Sequence, residues 1–319
     1  MKNSILLSLA LLALCAGPSA AALSPEGPDS VYVGMYVNRV YDVSLRDNRF
    51  TADFYLWFRW KNKDLDPVKS FEVVGGEKTF QSEPYRSKNG DVNYAFSRVT
   101  AVMTQHWDVS AFPFDDHVLT VQIEDGESET GALVYVLDSG NLGKSPDIKI
   151  PGWALDKFYF GVVPYTYATN YGDPTLPPEN QSIFSRFYCS VRVVRAGVGY
   201  FIKLFIAVFL SALIAFMSFF ISPTDLQSRT GLGVGAIFAA VGSQYVIASS
   251  LPDSNIMTMA DQLHIAAFLF IFLSILVAVI SLNLYSRGKK EASAKLDRFC
   301  QKAFPIAYGT ITLLIILFR

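Results

Sequence analysis

Cysteine and histidine are scarce in this 319-residue chain, at three of each. Cys15 falls in the first apolar stretch, and Cys189 and Cys300 stand in regions of different texture, so no intrachain disulfide is expected. His106, His117 and His264 have no H-x-x-x-H spacing and no cysteine beside them. That leaves no metal site and no cofactor, and each histidine reads as a hydrogen-bonded polar residue. Charge is also thin, at 17% of residues, and a net charge of −1 gives no reason to expect nucleic acid or an acidic substrate. No G-x-S-x-G, H-E-x-x-H or paired-carboxylate pattern appears, so an enzyme would have no catalytic groups to use. Two phosphate loops nearly match and fail. Gly231-Leu232-Gly233-Val234-Gly235-Ala236 has the dinucleotide spacing but no strand before it and no acid at the required distance after it. SGNLGKS at 139–145 has Asp138 where the first glycine belongs.

Apolar side chains are abundant: 51% of residues, including 25 phenylalanines, which is the composition of a membrane protein. They are unevenly spread. Residues 1–21 run from Lys2 through an apolar stretch to small residues, with Ser19 and Ala21 set for cleavage before Ala22, the pattern of a secretory signal peptide. From about 30 to 195 the hydrophobic period is two. In FTADFYLWFRW, Phe50, Ala52, Phe54, Leu56, Phe58 and Trp60 share one face and Tyr55 and Trp57 lie on the other. Several such runs, separated by Gly, Pro, Asn and Asp clusters, predict an extracytoplasmic antiparallel, Ig-like β-sandwich over 22–197. Four apolar segments come next, at about 199–221, 229–251, 260–285 and 297–318. Each is long enough to cross the hydrocarbon core, so a four-helix transmembrane domain is expected over 198–319. The linker SRGKKEASAKLDR after the third carries Arg287, Lys289, Lys290, Lys295 and Arg298, whereas LPDSNIMTMAD after the second has no Lys or Arg. The positive-inside rule therefore places the sandwich and the C-terminus outside the cytoplasm.

FPFDDH at 112–117 is preceded by HWDVSA and leads into the strand HVLTVQIE. It comes with one sandwich, an arginine at the sandwich–membrane junction, four spans and Leu251-Pro252 directly after the second. Together these resemble the pentameric ligand-gated ion channels, over about 30–318. No cysteines flank FPFDD, no vicinal pair lies near Tyr165 to Tyr171 and the third-to-fourth linker is short, as in the prokaryotic branch. The resemblance implies a multi-pass homopentamer in the cell inner membrane, not an enzyme. Its partners would be permeant inorganic ions, membrane lipid and a small-molecule agonist or protons. Agonist bound between adjacent sandwiches would open a pore lined by the second span. The rival reading is a membrane-anchored extracytoplasmic sensor without a conducting pore, which needs no aligned stripe on that span.

By this resemblance SRTGLGVGAIF starts the pore helix, with Arg229 at its cytoplasmic mouth. Helical stepping then aligns Gly231, Gly235, Phe238, Gly242, Tyr245 and Ser249 on one face, and a ring of Phe238 could gate by dewetting. The alternative is that Gly231 and Gly235 pack neighbouring helices while Phe238 faces lipid. Gln227 and Ser228 occupy the positions where cation-selective members carry an acid, and Asp225 is the nearest acid, so a cation preference is a lean through Asp225. At the gating interface Asp115 is the expected partner of Arg195. Asp116 competes with Asp115, and Arg192, read on the same strand face as Arg195, competes with it. Asp47 and Phe114 are expected over Leu251, Pro252 and Asp253. The ligand box draws on Glu124, Asp125, Tyr165, Tyr167 and Tyr171 from one subunit and Tyr55 and Trp57 from its neighbour, a set suited to a cationic amine.

Overall fold

The computed structural model describes residues 27–318 apart from 173, 175, 176, 178, 196 and 254; the expected signal peptide at 1–21 lies outside them. The first half is built from strands β1 (Asp29–Ser44), β2 (Arg49–Trp60), β3 (Phe71–Val74), β4 (Gly76–Gln81), β5 (Tyr85–Asn89) and β6 (Val92–Thr104). It continues with β7 (Asp116–Asp125), β8 (Leu133–Leu137), β9 (Gly143–Lys144), β10 (Trp153–Tyr167) and β11 (Ser182–Arg195), with one helical turn, α1 (Pro67–Ser70), before β3. A seven-stranded sheet in the order β4-β6-β2-β1-β8, with β5 on β6 and β9 on β1, faces a four-stranded sheet in the order β10-β11-β7-β3.

The period-two pattern explains the packing. Phe50, Ala52, Phe54, Leu56, Phe58 and Trp60 are all buried, as are Leu119, Val121 and Ile123 of β7 and Phe187, Cys189, Val191 and Val193 of β11. Register places Phe54 opposite Val37 on one side and Val99 on the other, so β2 forms the centre of its sheet and its inner face is the core. One expectation needs qualifying: β1 pairs with β8 and β9 in parallel, so the sandwich is antiparallel except at that edge. Cys189 and Cys300 are both buried and free.

The second half is helical: α2 (Gly197–Phe216), continued by a 3-10 turn (Met217–Phe220), then α3 (Leu226–Ala248), α4 (Met259–Ser286) and α5 (Lys290–Leu317). All four are long and apolar enough to cross a membrane. Their starts reflect capping. Asp225 caps α3 by accepting from the Ser228 amide, so this helix begins before the expected 229. Thr258 and Asp261 form a reciprocal capping box at α4. The last helix starts at Lys290 rather than 297, because most of the expected linker, KEASAK, consists of good helix formers; the turn is confined to 287–289.

Candidate functional site

The loop between β6 and β7 carries FPFDD and meets the helices. The antiparallel register of β7 and β11 sets Asp116 opposite Val194, which brings Asp115 beside Arg195. Arg195 donates from Nε to Asp115 Oδ1 at 2.7 Å and from Nη2 to Oδ2 at 3.0 Å, while Arg192 donates from Nε to Asp116 Oδ2 at 2.7 Å. The four charges therefore form two separate pairs. Arg192 and Arg195 are three positions apart, so they project to opposite faces of the strand, and the expectation of a shared face was wrong. The Arg195–Asp115 pair is sunk in aromatic surface. The guanidinium lies 4.1 Å from the Trp153 ring centroid, 4.9 Å from Phe112 and 5.3 Å from Tyr200 at the start of α2. His117 Nε2 is 2.7 Å from Asp115 Oδ2, and its ring is held edge-on between Trp107 and Trp153. Burial opposes ionisation of Asp115, but its hydrogen bonds with His117 and Arg195, with the charge of Arg195, outweigh it and hold the carboxyl below the usual carboxylate range.

Three further contacts join sandwich to helices. Phe114 stacks on Phe201 of α2, with ring centroids 5.2 Å apart. The Met259 amide at the start of α4 donates to the Ser110 carbonyl at 3.0 Å. Arg46 Nη1 reaches the Ser249 carbonyl at the end of α3 at 3.4 Å. In the β1–β2 turn Asp47 is occupied by Ser44 and Arg49, so Arg46 supplies the contact expected of Asp47. Leu251 is buried and Pro252 half-buried just after α3.

Helix α3 has two opposed faces. Arg229, Gly233, Ala236, Ala240, Ser243 and Ile247 are buried against their own subunit. Gly231, Gly235, Phe238, Gly242, Tyr245 and Ser249 lie on the other side and are exposed, with Phe238 and Tyr245 at 73% and 75%. A Cβ on Gly231, Gly235 or Gly242 would meet nothing, whereas one on Gly233 would overlap the Ile275 side chain of α4. Gly233→Ala should therefore cost about 1–3 kcal/mol by overpacking, while Gly235→Ala should be neutral or stabilising. Thermal unfolding of the two variants in detergent checks this, and a loss of oligomer in Gly235→Ala would instead favour helix packing by that glycine.

Arg229, expected at the mouth, is 1% exposed and enclosed within its own subunit. Its Nη2 donates to Asp297 Oδ2 of α5 at 2.6 Å and to the Ile221 carbonyl at 2.8 Å, and Nη1 reaches Asp297 Oδ1 at 3.3 Å. Ser281 of α4 donates to the same carboxylate at 3.0 Å and lies 2.8 Å from Ser293. The physical reason is phase: Arg229 precedes Gly233 by four residues and so shares the buried stripe. Asp225, Gln227 and Ser228 are exposed at the same end.

The expected ligand residues split between the two sheets. Tyr165, Tyr167 and Tyr171 form a chain of edge-on contacts, 4.8 Å and 5.8 Å between successive ring centroids. Arg186, not among the expected residues, already occupies this box. Its guanidinium lies 3.4 Å from the Tyr165 ring centroid, and it donates to Glu124 at 2.6 Å, to Gln122 at 3.3 Å and to the Tyr167 hydroxyl at 2.9 Å. Tyr167 in turn donates to Glu124 at 2.9 Å; burial and that bond push its phenol up to about 12. Glu124 is thus not free for an amine, because a buried carboxylate needs an internal partner. Asp125 is likewise taken, by the Ser70 hydroxyl and the Glu127 amide. On the other sheet Trp57 packs over Gly34 and donates to Asp138 at 2.9 Å, and Tyr55 meets Phe96 edge-on at 6.1 Å. The signal for Arg186 was a charge set directly before Phe187, between Phe184 and the apolar alternation of Phe187, Cys189, Val191 and Val193.

No family model matches the chain. Individual proteins do. A proton-gated ion channel of Gloeobacter violaceus is 21% identical over 307 residues, covering 89% of this chain and 81% of the relative. An acetylcholine receptor beta-type subunit of Caenorhabditis elegans is 24% identical over 292 residues, covering 84% and 55%. The glycine receptor beta subunit of Homo sapiens is 24% identical over 210 residues, covering 64% and 39%. The chain thus matches well under two thirds of the length of these two animal subunits.

Proposed function

We propose that this chain belongs to the pentameric ligand-gated ion channel superfamily, a reading that its similarity to channel and receptor subunits and its fold support, and that five copies surround a pore lined by the exposed stripe of α3. The observation that carries this reading is the opposition of faces on that helix. One side is committed to its own subunit, while the other offers glycines, Phe238, Tyr245 and Ser249, with no charge. Rings of Phe238 and Tyr245 narrow the channel, and Phe238 closes it by excluding water. The exposed carboxylate of Asp225 inclines it to cations.

The trigger acts on the sandwiches, which bias the bundle through Arg195–Asp115, Phe114–Phe201 and Ser110–Met259. The agonist site lies between adjacent sandwiches, where Tyr165, Tyr167 and Tyr171 of one subunit would meet Tyr55 and Trp57 of the next. Arg186 fills the cation position in the Tyr165–Tyr167 box, so an amine at that position would have to displace it. Protons are the other candidate trigger, as the name of the Gloeobacter relative says of that protein. The basic stretch 287–290, set against a lysine- and arginine-free stretch at 249–258, orients the sandwich and the C-terminus outward from the inner membrane.

Electrical recording from the purified protein in bilayers tests this, with pH, small amines and small carboxylic acids scanned in turn. Gated current is expected, together with a mass of five subunits in detergent. A protein that never conducts, in wild type or in Phe238→Ala, would return the reading to a membrane-anchored sensor.

A further inference from the structure

The base of the bundle holds a charge that the pore does not see. Arg229 lies in the first turn of α3, directly after the exposed Gln227-Ser228 pair, where a free guanidinium would add its charge to that end of the helix. It is instead held back by the carboxylate of Asp297, reached by two nitrogens at 2.6 and 3.3 Å, and by the Ile221 carbonyl. Asp297 is itself fixed by Ser281, and Ser281 by Ser293, so α3, α4 and α5 meet in one buried polar cluster. The pair is internally neutral. Asp225 lies outside it as the exposed N-cap of the same helix, with its Oδ1 bonded to the Ser228 amide.

We propose that Asp297, on the last helix in sequence and away from the pore stripe, determines ion specificity by keeping Arg229 inside each subunit. The mouth then presents five Asp225 carboxylates without five compensating guanidiniums. Fixed charge at a narrow mouth raises the local concentration of the opposite ion, so this arrangement favours cations. Asp297 touches no permeant ion; it is a positioning residue that acts through Arg229. The inference rests on the reading that α3 lines the pore.

The two halves of the pair differ in what their removal leaves behind. A buried guanidinium without its carboxylate is strongly disfavoured, and exposing it to water at the mouth is the available relief. In Asp297→Asn the carboxamide keeps its shape but loses its charge, so Arg229 is released and the mouth becomes nearly neutral. Arg229→Gln removes the cation itself, which the ions never met. Opposite results are therefore expected from the two substitutions.

The test is the reversal potential in a sodium chloride gradient, measured for wild type, Arg229→Gln, Asp297→Asn, Asp225→Asn and the double variant Arg229→Gln/Asp297→Asn. Wild type and Arg229→Gln should share one cation-selective potential. Asp297→Asn should shift toward the chloride potential, with a fall of about tenfold in relative cation permeability, as Asp225→Asn should. The double variant should return to the wild-type value. The idea is overturned by a chloride-selective wild type, by Asp297→Asn conducting with the wild-type potential, or by Arg229→Gln raising cation selectivity. If Asp297→Asn fails to assemble, Arg229→Gln and the double variant still decide, since any shift in either overturns the proposal and no shift in both supports it. Absence of current from every protein, with Phe238→Ala included as control, would overturn the pore reading itself, a result distinct from current with unaltered selectivity.

Discussion

Phe238→Ala is expected to leave the channel conducting at rest. The side chain is 73% exposed in the subunit and lies opposite the face that packs against α2 and α4, so truncating it removes little from the fold. In the proposed pentamer its effect would be concentrated where five copies meet. A ring of phenyl groups closes a pore by making the constriction too apolar to hold water, and five methyl groups in its place leave a wider opening. Resting conductance should rise by about tenfold or more, equivalent to ~1.4 kcal/mol or more in favour of the conducting state. Tyr245→Ala should do less, because a phenol hydroxyl offers water a partner that a phenyl ring does not. Current before and after a saturating stimulus measures both. Equal resting currents in wild type and Phe238→Ala would mean that this face looks at lipid.

The second large effect is expected where Arg195 meets Asp115. Both side chains are buried, the contact is bidentate, and three rings surround the guanidinium. Removing one charge leaves the other unpaired in that setting, a loss of about 3–5 kcal/mol. Asp115→Asn and Arg195→Gln should each lower the unfolding temperature of the detergent-solubilised protein and disconnect stimulus from current. Arg192→Gln, whose partner Asp116 is exposed, should cost only about 0–1 kcal/mol. The depressed pKa of Asp115 sets the pH dependence. Its stabilisation is fully present above the unfolded value of roughly 3.9 and is lost as pH falls through the lower folded value. Between pH 7 and 5 the pair stays ionised, so gating by protons in that window would need another group. Thermal melts from pH 7 to pH 3 should show wild type losing stability only at the acid end, with that component missing in Asp115→Asn.

Much of this was legible in the sequence because it is local. Alternation in FTADFYLWFRW gave the inner face of β2 residue by residue, and the spacing from Gly231 to Ser249 gave the exposed stripe of α3. What was not legible depends on partners distant in the chain. Arg229 was assigned to the mouth by resemblance, yet its ion pair is with Asp297, 68 positions on and on another helix. Its phase alone carried the correction, since it shares the spacing of Gly233 and Ala236. Glu124 read as a free acid because Arg186 lies 62 positions away, and no periodicity links the two. Charged side chains in buried places are paired by topology, which a pattern of hydrophobicity does not encode.

One contact between the two halves is made of main-chain atoms: the Met259 amide on the Ser110 carbonyl. A backbone bond has no residue type to preserve. It constrains the number of residues in the loop from Gln105 to Asp115, whereas a substitution at Ser110 or Met259 themselves leaves the two bonded main-chain atoms in place. Over evolutionary time this joint should therefore tolerate a change of residue at positions 110 and 259 and reject a change in the length of the loop between β6 and β7.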